Sequence, residues 1–164
     1  ALRLGADVPV CLAKEPAWMT GIGEVLTPLS DLPAADIVLV NPRVALSTAS
    51  VFANLSPVAK KLPPQEIPSG WQRLDDLCAF LGEQGNDLQA SAISLVPAIE
   101  LCLSTLRSSG ARYVAMSGSG ASCFALCEAG QGAEVASAYG ARRRQDWVQA
   151  GRLIGPSDTK VDEA

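Results

Sequence analysis

Histidine is absent from the 164-residue sequence, and none of the five cysteines belongs to a C-x-x-C pair. Histidine and closely spaced cysteines are the usual ligands of zinc and related metals, so no metal centre of that kind is expected. The cysteines are scattered over apolar segments, at Cys11, Cys78, Cys102, Cys123 and Cys127. We interpret them as small buried thiols in the reducing environment of the cytoplasm.

Aromatic residues and positive charge are also scarce. Phe, Trp and Tyr make up 5% of the residues, and the formal net charge is -4. Nucleic-acid-binding domains usually carry a basic face, so this composition does not indicate a nucleic-acid partner. The one basic cluster, the arginines at 142–144, is expected at the solvated end of a helix. Neither a signal peptide nor an apolar run of membrane-spanning length is recognisable, so a cytoplasmic protein without a membrane partner is expected.

What the sequence does have is the composition of a globular protein. Hydrophobic residues make up 48% of the chain and charged residues 18%, which is enough to form a core. A length of 164 residues corresponds to one domain, or to one domain and part of another. The chain begins with Ala rather than Met. We interpret residues 1–33 as the tail of a domain whose front is missing, 34–155 as a second domain, and 156–164 as a polar tail.

Hydrophobic periodicity predicts strands and helices that alternate along the chain. The strand at 8–12 is followed by a turn at Gly21 and Gly23, and Pro97 either kinks one long helix or begins a second one. A helix that begins after residue 46 is expected to have Ser47 or Thr48 as its N-cap. The further strands are expected at 36–41, 112–116, 123–127 and 147–155, and the helices at 47–55, 71–85, 86–109 and 132–144.

A run of six small residues, Ser117 to Ser122, separates two of these strands in "MSGSGASCFALCE". An ordinary β-hairpin needs two to five turn residues, so this serine–glycine loop is expected to be longer than a plain turn. Gly118 and Gly120 permit positive φ angles, and successive amides in such a turn can hold an anion. Dinucleotide-binding and Walker-type loops join a strand to a helix, so neither is indicated here. The alternative is a slightly long glycine turn without a ligand.

Two further segments carry candidate functional residues. In "GADVPV", Asp7 precedes Val8 and Pro9, which hold the chain extended; an aspartate there is more often a turn or cap residue than a catalytic one. In "STASVF", Thr48 and Phe52 lie four residues apart, on one face of a helix. A phenylalanine in an apolar helix is ordinarily a core residue.

Taken in order along the chain, these motifs resemble the C-terminal half of a kinase of the GHMP superfamily, and within it the 4-diphosphocytidyl-2-C-methyl-D-erythritol kinase family. The resemblance extends from about residue 4 to 129 and rests on "GADVPV", "GIGE", "NP" followed by "STASVF", "ND" and "SGSGAS". It implies an α/β (α+β) fold, in which a ferredoxin-like two-layer GHMP C-terminal domain follows the tail of the N-terminal kinase domain. Val10 departs from the family pattern, since many members carry Phe there. The N-terminal lysine and the phosphate loop of such kinases are missing from this sequence.

The resemblance also implies roles for individual residues. Asp7 would be the general base, and Thr48 and Phe52 would line the substrate pocket, with Phe52 at the cytosine. The phosphate and substrate loop would consist of Ser117, Gly118, Ser119 and Gly120. ATP and Mg²⁺ would bind mainly through the missing N-terminal half, and no metal ligand is assigned here. The complete enzyme would phosphorylate the 2-hydroxyl of the methylerythritol moiety in non-mevalonate isoprenoid synthesis, and this chain alone is expected to be inactive.

Two other interpretations stay open at this point. Another GHMP kinase, acting on homoserine, mevalonate or a sugar, would share the glycine loop and an aspartate base. A non-catalytic ferredoxin-like ligand-binding module would have the same fold without the chemistry. The chain is also expected to be able to self-associate, because the apolar strand at 8–12 would lack its neighbours.

Overall fold

The computed structural model describes residues 5, 8–55 and 70–155. Within them it contains six helices and six strands. In chain order they are α1 (Val8–Ala13), β1 (Ala17–Thr20), β2 (Val25–Pro28), β3 (Ala35–Asn41), α2 (Thr48–Ala53), α3 (Leu74–Gln84), α4 (Gln89–Leu95), α5 (Ala98–Arg107), β4 (Tyr113–Met116), β5 (Cys123–Glu128), α6 (Gly132–Arg142) and β6 (Trp147–Arg152).

These residues form two compact units. The described part of the first unit comprises residues 5, 8–34, 70–77 and 154–155. The described part of the second comprises 35–55 and 78–153. The boundary between the units therefore falls within α3.

The first unit contains an antiparallel hairpin formed by β1 and β2. Its turn lies at Gly21 and Gly23, as the sequence predicts, and both glycines have positive φ angles, of 70° and 102°. A Cβ atom on Gly21 would lie 2.3 Å from a carboxylate oxygen of Glu24, so that side chain would have to move, and the positive φ angle is what favours glycine there. That carboxylate accepts a hydrogen bond from the backbone N–H of Ile22 at 2.6 Å.

The strand predicted at 8–12 is wrong, because this segment forms the short helix α1. Pro9 lies in the first helical turn, where a missing N–H group breaks no hydrogen bond. The N–H of Lys14 donates to the carbonyl of Val10 at the end of the helix. No residue of α1 is buried, and Leu12 is 67% exposed. A short apolar run does not by itself distinguish a strand from a helical turn.

The second unit is built on a four-stranded antiparallel sheet with the strand order β4-β5-β3-β6. The elements follow the β-α-β-β-α-β pattern of the ferredoxin-like fold, with three helical segments (α2, α4 and α5) and part of α3 in the first connection. This confirms the predicted two-layer α+β architecture. All four strands predicted from 36 to 155 are present, since each combines apolar alternation with turn residues at its ends.

One face of the sheet packs against α5 and α6 to form the core of this unit. Pro97 begins the second of two helices, because α4 and α5 are bent by 120° relative to each other. The buried side chains of α5 follow the predicted helical spacing, and with those of the two central strands they form a continuous apolar layer: Val38, Val40, Ile99, Cys102, Leu103, Leu106, Cys123, Ala125 and Cys127.

Within the described ranges no single helix is long and apolar enough to cross a membrane. Among the described helices, the bent pair α4–α5 has the length and composition of a membrane span when its two helices are taken together. Its apolar side chains Ala92, Ile99 and Leu103 are, however, fully buried within the unit.

The basic cluster that follows α6 is not simply a solvated helix end. The helix stops at Arg142, and the side chain of Arg143 is only 13% exposed. Its Nε donates to Oδ2 of the buried Asp146 at 2.5 Å, and the hydroxyl of Tyr139 donates to the same oxygen at 2.6 Å. Burial by itself would raise the pKa of Asp146, but the hydrogen bonds from Arg143 and Tyr139 outweigh it and hold the pKa below its usual value.

Candidate functional site

The N-terminus of α2 sets the position of the first candidate residue, Thr48. Ser47 is the N-cap, with extended backbone angles (φ -80°, ψ 123°), and its hydroxyl accepts a hydrogen bond from the N–H of Ser50 at 3.4 Å. Of the two predicted caps, Ser47 is therefore the one observed. Because Ser47 satisfies this part of the helix end, the hydroxyl of Thr48 is available for other contacts.

That hydroxyl joins α2 to the serine–glycine loop. Thr48 Oγ1 lies 2.8 Å from Ser119 Oγ, within hydrogen-bonding distance, although the two residues are 71 positions apart in the chain. The structure thus brings together two of the motifs that the sequence singles out. Their roles in binding stay a prediction.

The serine–glycine loop itself is a compact hairpin turn. The N–H of Ser117 donates to the carbonyl of Ser122 at 2.9 Å, and the N–H of Gly120 donates to the carbonyl of Ser117, also at 2.9 Å. The strands β4 and β5 leave six residues, 117–122, between them, as the sequence predicts, and the hydrogen bond between Ser117 and Ser122 leaves four residues within the turn itself. In the part of the chain that the structure describes, the amides of Gly118 and Ser119 have no acceptor. The successive N–H groups of Gly118 and Ser119 could therefore bind an anion, as could those of Ala121 and Ser122, which also have no acceptor among the described residues.

The two glycines of the loop are required for different reasons. Both have positive φ angles, 53° at Gly118 and 87° at Gly120. A Cβ atom on Gly120 would lie 2.9 Å from Sδ of Met116 and 3.2 Å from Cδ2 of Leu46, so these two side chains leave too little space for a side chain at this position. A Cβ atom on Gly118 would meet no atom within 4 Å, so only the backbone conformation favours glycine there.

Two asparagines hold the loop at its two ends. Asn41, the last residue of β3, donates from Nδ2 to Oγ of Ser122 at 2.9 Å. Asn86 donates from Nδ2 to the carbonyls of Met116 at 3.0 Å and Gly118 at 2.9 Å. The "NP" and "ND" motifs contain these residues, but nothing local in the sequence indicates that they contact the loop. The position of both residues in motifs that the sequence singles out was the available signal.

Phe52 lies one helical turn after Thr48, and its side chain is 55% exposed. The core position on α2 belongs instead to Val51, which is fully buried. The ordinary interpretation of Phe52 as a core residue is therefore wrong within the described residues. An exposed ring is what a stacking surface for a base requires, and this role stays a prediction.

The remaining candidate, Asp7, lies outside the described residues. In the portion that the structure does describe, no group of three Cys, Asp or Glu side chains could hold a metal ion. The candidate site within the described residues therefore consists of Thr48, Phe52 and the serine–glycine loop with its two asparagines.

Comparison with known proteins agrees with this fold. The family model "GHMP kinases C terminal" matches residues 67–154. A protein of Paracoccus denitrificans named 4-diphosphocytidyl-2-C-methyl-D-erythritol kinase is 44% identical over 94% of this chain and 56% of its own length. A protein of the same name from Ruegeria pomeroyi is 52% identical over 77% of this chain and 45% of its own.

A crystal structure titled 4-(cytidine 5'-diphospho)-2C-methyl-D-erythritol kinase superimposes with a TM-score of 0.71 at 29% identity, covering 93% of this chain and 55% of that one. The chain thus spans about half the length of the curated relatives it matches. It belongs to the GHMP kinase family, of which it contains the C-terminal domain.

Proposed function

We propose that this chain is part of an ATP-dependent kinase that phosphorylates the 2-hydroxyl of the methylerythritol moiety of 4-diphosphocytidyl-2-C-methyl-D-erythritol. The observation that carries the proposal is the identity of 44% with a relative of that name over 94% of the chain. The reaction would serve the synthesis of isoprenoid precursors. Because the chain spans about half of such relatives, the activity is proposed for the whole kinase and not for this chain alone.

The candidate site can contribute positioning to such a reaction. Phosphoryl transfer needs the attacking hydroxyl in line with the γ-phosphate and hydrogen-bond donors around the transferred group. The free amides of Gly118 and Ser119 are suitable donors to a phosphate oxygen. The hydroxyls of Thr48 and Ser119 and the exposed ring of Phe52 line the neighbouring surface, where the cytidine part of the substrate would bind.

Asp7 is proposed to accept the proton of the attacking hydroxyl. A general base must lie within hydrogen-bond reach of that hydroxyl and remain ionised, which a neighbouring cation would favour. ATP and Mg²⁺ are proposed to bind mainly through residues outside this chain. No step through the metal is assigned to the described residues, since they contain no group of ligands for it.

A chimeric kinase tests the proposal. The portion of the Paracoccus denitrificans relative that this chain does not match is fused, in its natural order, to the 164 residues. ADP release is then measured with Mg-ATP and 4-diphosphocytidyl-2-C-methyl-D-erythritol, mevalonate or homoserine. Turnover of the cytidylyl substrate alone supports the proposal. Turnover of mevalonate or homoserine in its place would indicate another kinase of the superfamily, and turnover of none would favour a binding module.

The same chimeric kinase tests Asp7. Replacement by asparagine preserves the shape of the side chain and removes its capacity to accept a proton. Because general-base catalysis typically contributes about 10²–10⁴-fold, kcat should fall on that scale while the Michaelis constants change little. A kcat equal to that of the unsubstituted chimera would contradict the assignment.

A further inference from the structure

The side chain of Asn86 makes three hydrogen bonds, although the residue lies outside any helix or strand. It lies between α3 and α4 and is partly buried. Its Nδ2 donates to the carbonyls of Met116 and Gly118, and its Oδ1 accepts from the N–H of Leu88 at 2.9 Å. Both amide hydrogens and the carbonyl oxygen of the side chain are therefore engaged.

These contacts fix the first half of the serine–glycine loop. The N–H of Met116 donates to Oε1 of Gln89 at 3.3 Å, so the last residue of β4 is held through its N–H by the first residue of α4 and through its carbonyl by Asn86. The second bond of Asn86 extends this hold by two residues, to Gly118.

The bond to Gly118 has a consequence for the next amide. The carbonyl of Gly118 and the N–H of Ser119 belong to one planar trans peptide group, in which they point in opposite directions. A carbonyl held against Asn86 therefore turns the N–H of Ser119 away from Asn86. That N–H has no acceptor among the described residues.

We infer that Asn86 is a positioning residue of the kinase: it orients the Gly118–Ser119 peptide so that the Ser119 N–H is presented to a phosphate oxygen of the bound substrate or nucleotide. This inference rests on the proposed function. Asn86 contacts no reacting atom and acts only through the loop. Glycine at 118 leaves the peptide free to rotate, which is why an external contact is needed to select one orientation.

The simpler interpretation is that Asn86 only stabilises the turn before α4 through its bond to the N–H of Leu88. Two substitutions separate the two roles. Asn86→Asp keeps an acceptor for the N–H of Leu88 but removes both donors. Asn86→Ser also keeps an acceptor for this turn, adds no charge, and is too short to reach both carbonyls. Gln149→Glu is the matched control, because it exchanges an amide for a carboxylate on β6, at the opposite edge of the sheet from β4.

The test measures kcat, both Michaelis constants, the melting temperature and the ¹⁵N–¹H resonance of Ser119 in the chimeric kinase. We expect both Asn86 variants to shift or broaden the Ser119 amide resonance and to lower kcat by about 10-fold or more, since small misplacements in phosphoryl transfer are costly. The Gln149→Glu variant should retain kcat and the resonance. If one Asn86 variant fails to fold, the inference is tested with the other variant alone.

The inference is overturned if both folded Asn86 variants lower only the melting temperature and leave the Ser119 resonance and kcat unchanged. An unsubstituted chimera that transfers no phosphate would instead contradict the proposed function. In that case the Ser119 resonance is followed with and without added CDP. A CDP-dependent shift that the Asn86 variants abolish supports the inference that Asn86 orients this amide toward a phosphate. The absence of such a shift refutes that inference.

Discussion

Thr48 and Ser119 place their hydroxyl oxygens 2.8 Å apart, which joins the first turn of α2 to the tip of the serine–glycine loop. Thr48 lies one helical turn before the exposed ring of Phe52, and Ser119 carries one of the loop amides that have no acceptor among the described residues. The two proposed functions of the site, holding a base and holding a phosphate, are therefore linked by a single hydrogen bond between side chains.

The energy of this bond can be measured with a double-mutant cycle. Thr48→Val and Ser119→Ala each remove one hydroxyl, and the pair removes both. Because the bond is exposed, we expect a coupling of about 0.5–1 kcal/mol in the free energy of unfolding in urea. Strictly additive losses would mean that the hydroxyls do not bond in solution. Thr48→Ser, which keeps the oxygen, is the control and should retain most of the coupling.

Alanine at the two loop glycines should have unequal effects on stability. Both positions have positive φ angles, which cost an L-residue about 1–2 kcal/mol. At Gly120 the new methyl group would also meet Met116 and Leu46, whereas at Gly118 it would meet open space. Urea unfolding of the 164-residue chain should therefore show a larger loss for Gly120→Ala than for Gly118→Ala. Equal losses would show that the core relaxes around residue 120 without cost.

Phe52→Leu should affect substrate binding rather than folding. Stacking of a base on an aromatic ring is worth about 1–3 kcal/mol, so the Michaelis constant for the cytidylyl substrate should rise by roughly 5- to 100-fold in the chimeric kinase. The constant for ATP and the melting temperature should stay nearly unchanged, because the ring is exposed. The control is Phe124→Leu on β5, whose ring lies 6.0 Å from that of Tyr113. Phe124→Leu should lower the melting temperature and leave the Michaelis constant for the cytidylyl substrate unchanged. If Phe52→Leu instead lowered the melting temperature without raising that Michaelis constant, Phe52 would not be a substrate-binding residue.

The Arg143–Asp146 pair should make stability depend on acid pH. The pKa of Asp146 is lower in the folded chain than in the unfolded chain. Its contribution is therefore present above the unfolded pKa of about 3.9 and is lost as the pH falls through the folded value. Asp146→Asn should cost about 3 kcal/mol near neutral pH, because it leaves Arg143 without its charged partner.

The difference between Asp146→Asn and the unsubstituted chain should shrink below about pH 4, where the carboxylate is being protonated. Urea unfolding at several pH values measures it. Glu100→Gln serves as the control, since Glu100 forms an exposed ion pair with Arg107 at 3.3 Å and should contribute less than about 0.5 kcal/mol. A difference that stays constant between pH 7 and pH 3 would mean that the Asp146 carboxylate is not the group responsible.

The helices and strands of the second unit could be predicted because local signals agree there. Strand β3 combines β-branched residues with a following proline, and α5 repeats its buried residues at helical spacing. In α1 the local signals conflict. Val8 and Val10 favour a strand, whereas Pro9 is equally compatible with a first helical turn, and no buried face decides between them.

The site was predictable as a set of motifs but not as a set of contacts. The sequence singles out Thr48 and the loop separately, and nothing local indicates that Thr48 and Ser119 bond to each other. The same holds for Asn86, whose partners Met116 and Gly118 lie about 30 residues further along the chain. Such bonds follow from the strand order of the sheet, which is a property of the whole unit.

The strand order also determines when the sheet can form during synthesis. Strand β3 is made before any other strand of its sheet, yet its two neighbours are β5 and β6, so Val38 pairs with Ala125 on one side and Ala150 on the other. Its apolar residues must wait until nearly the entire unit has left the ribosome. Such distant pairings slow folding and leave an aggregation-prone strand uncovered meanwhile. The centre of the finished sheet is thus the segment that most needs protection while the chain is being made.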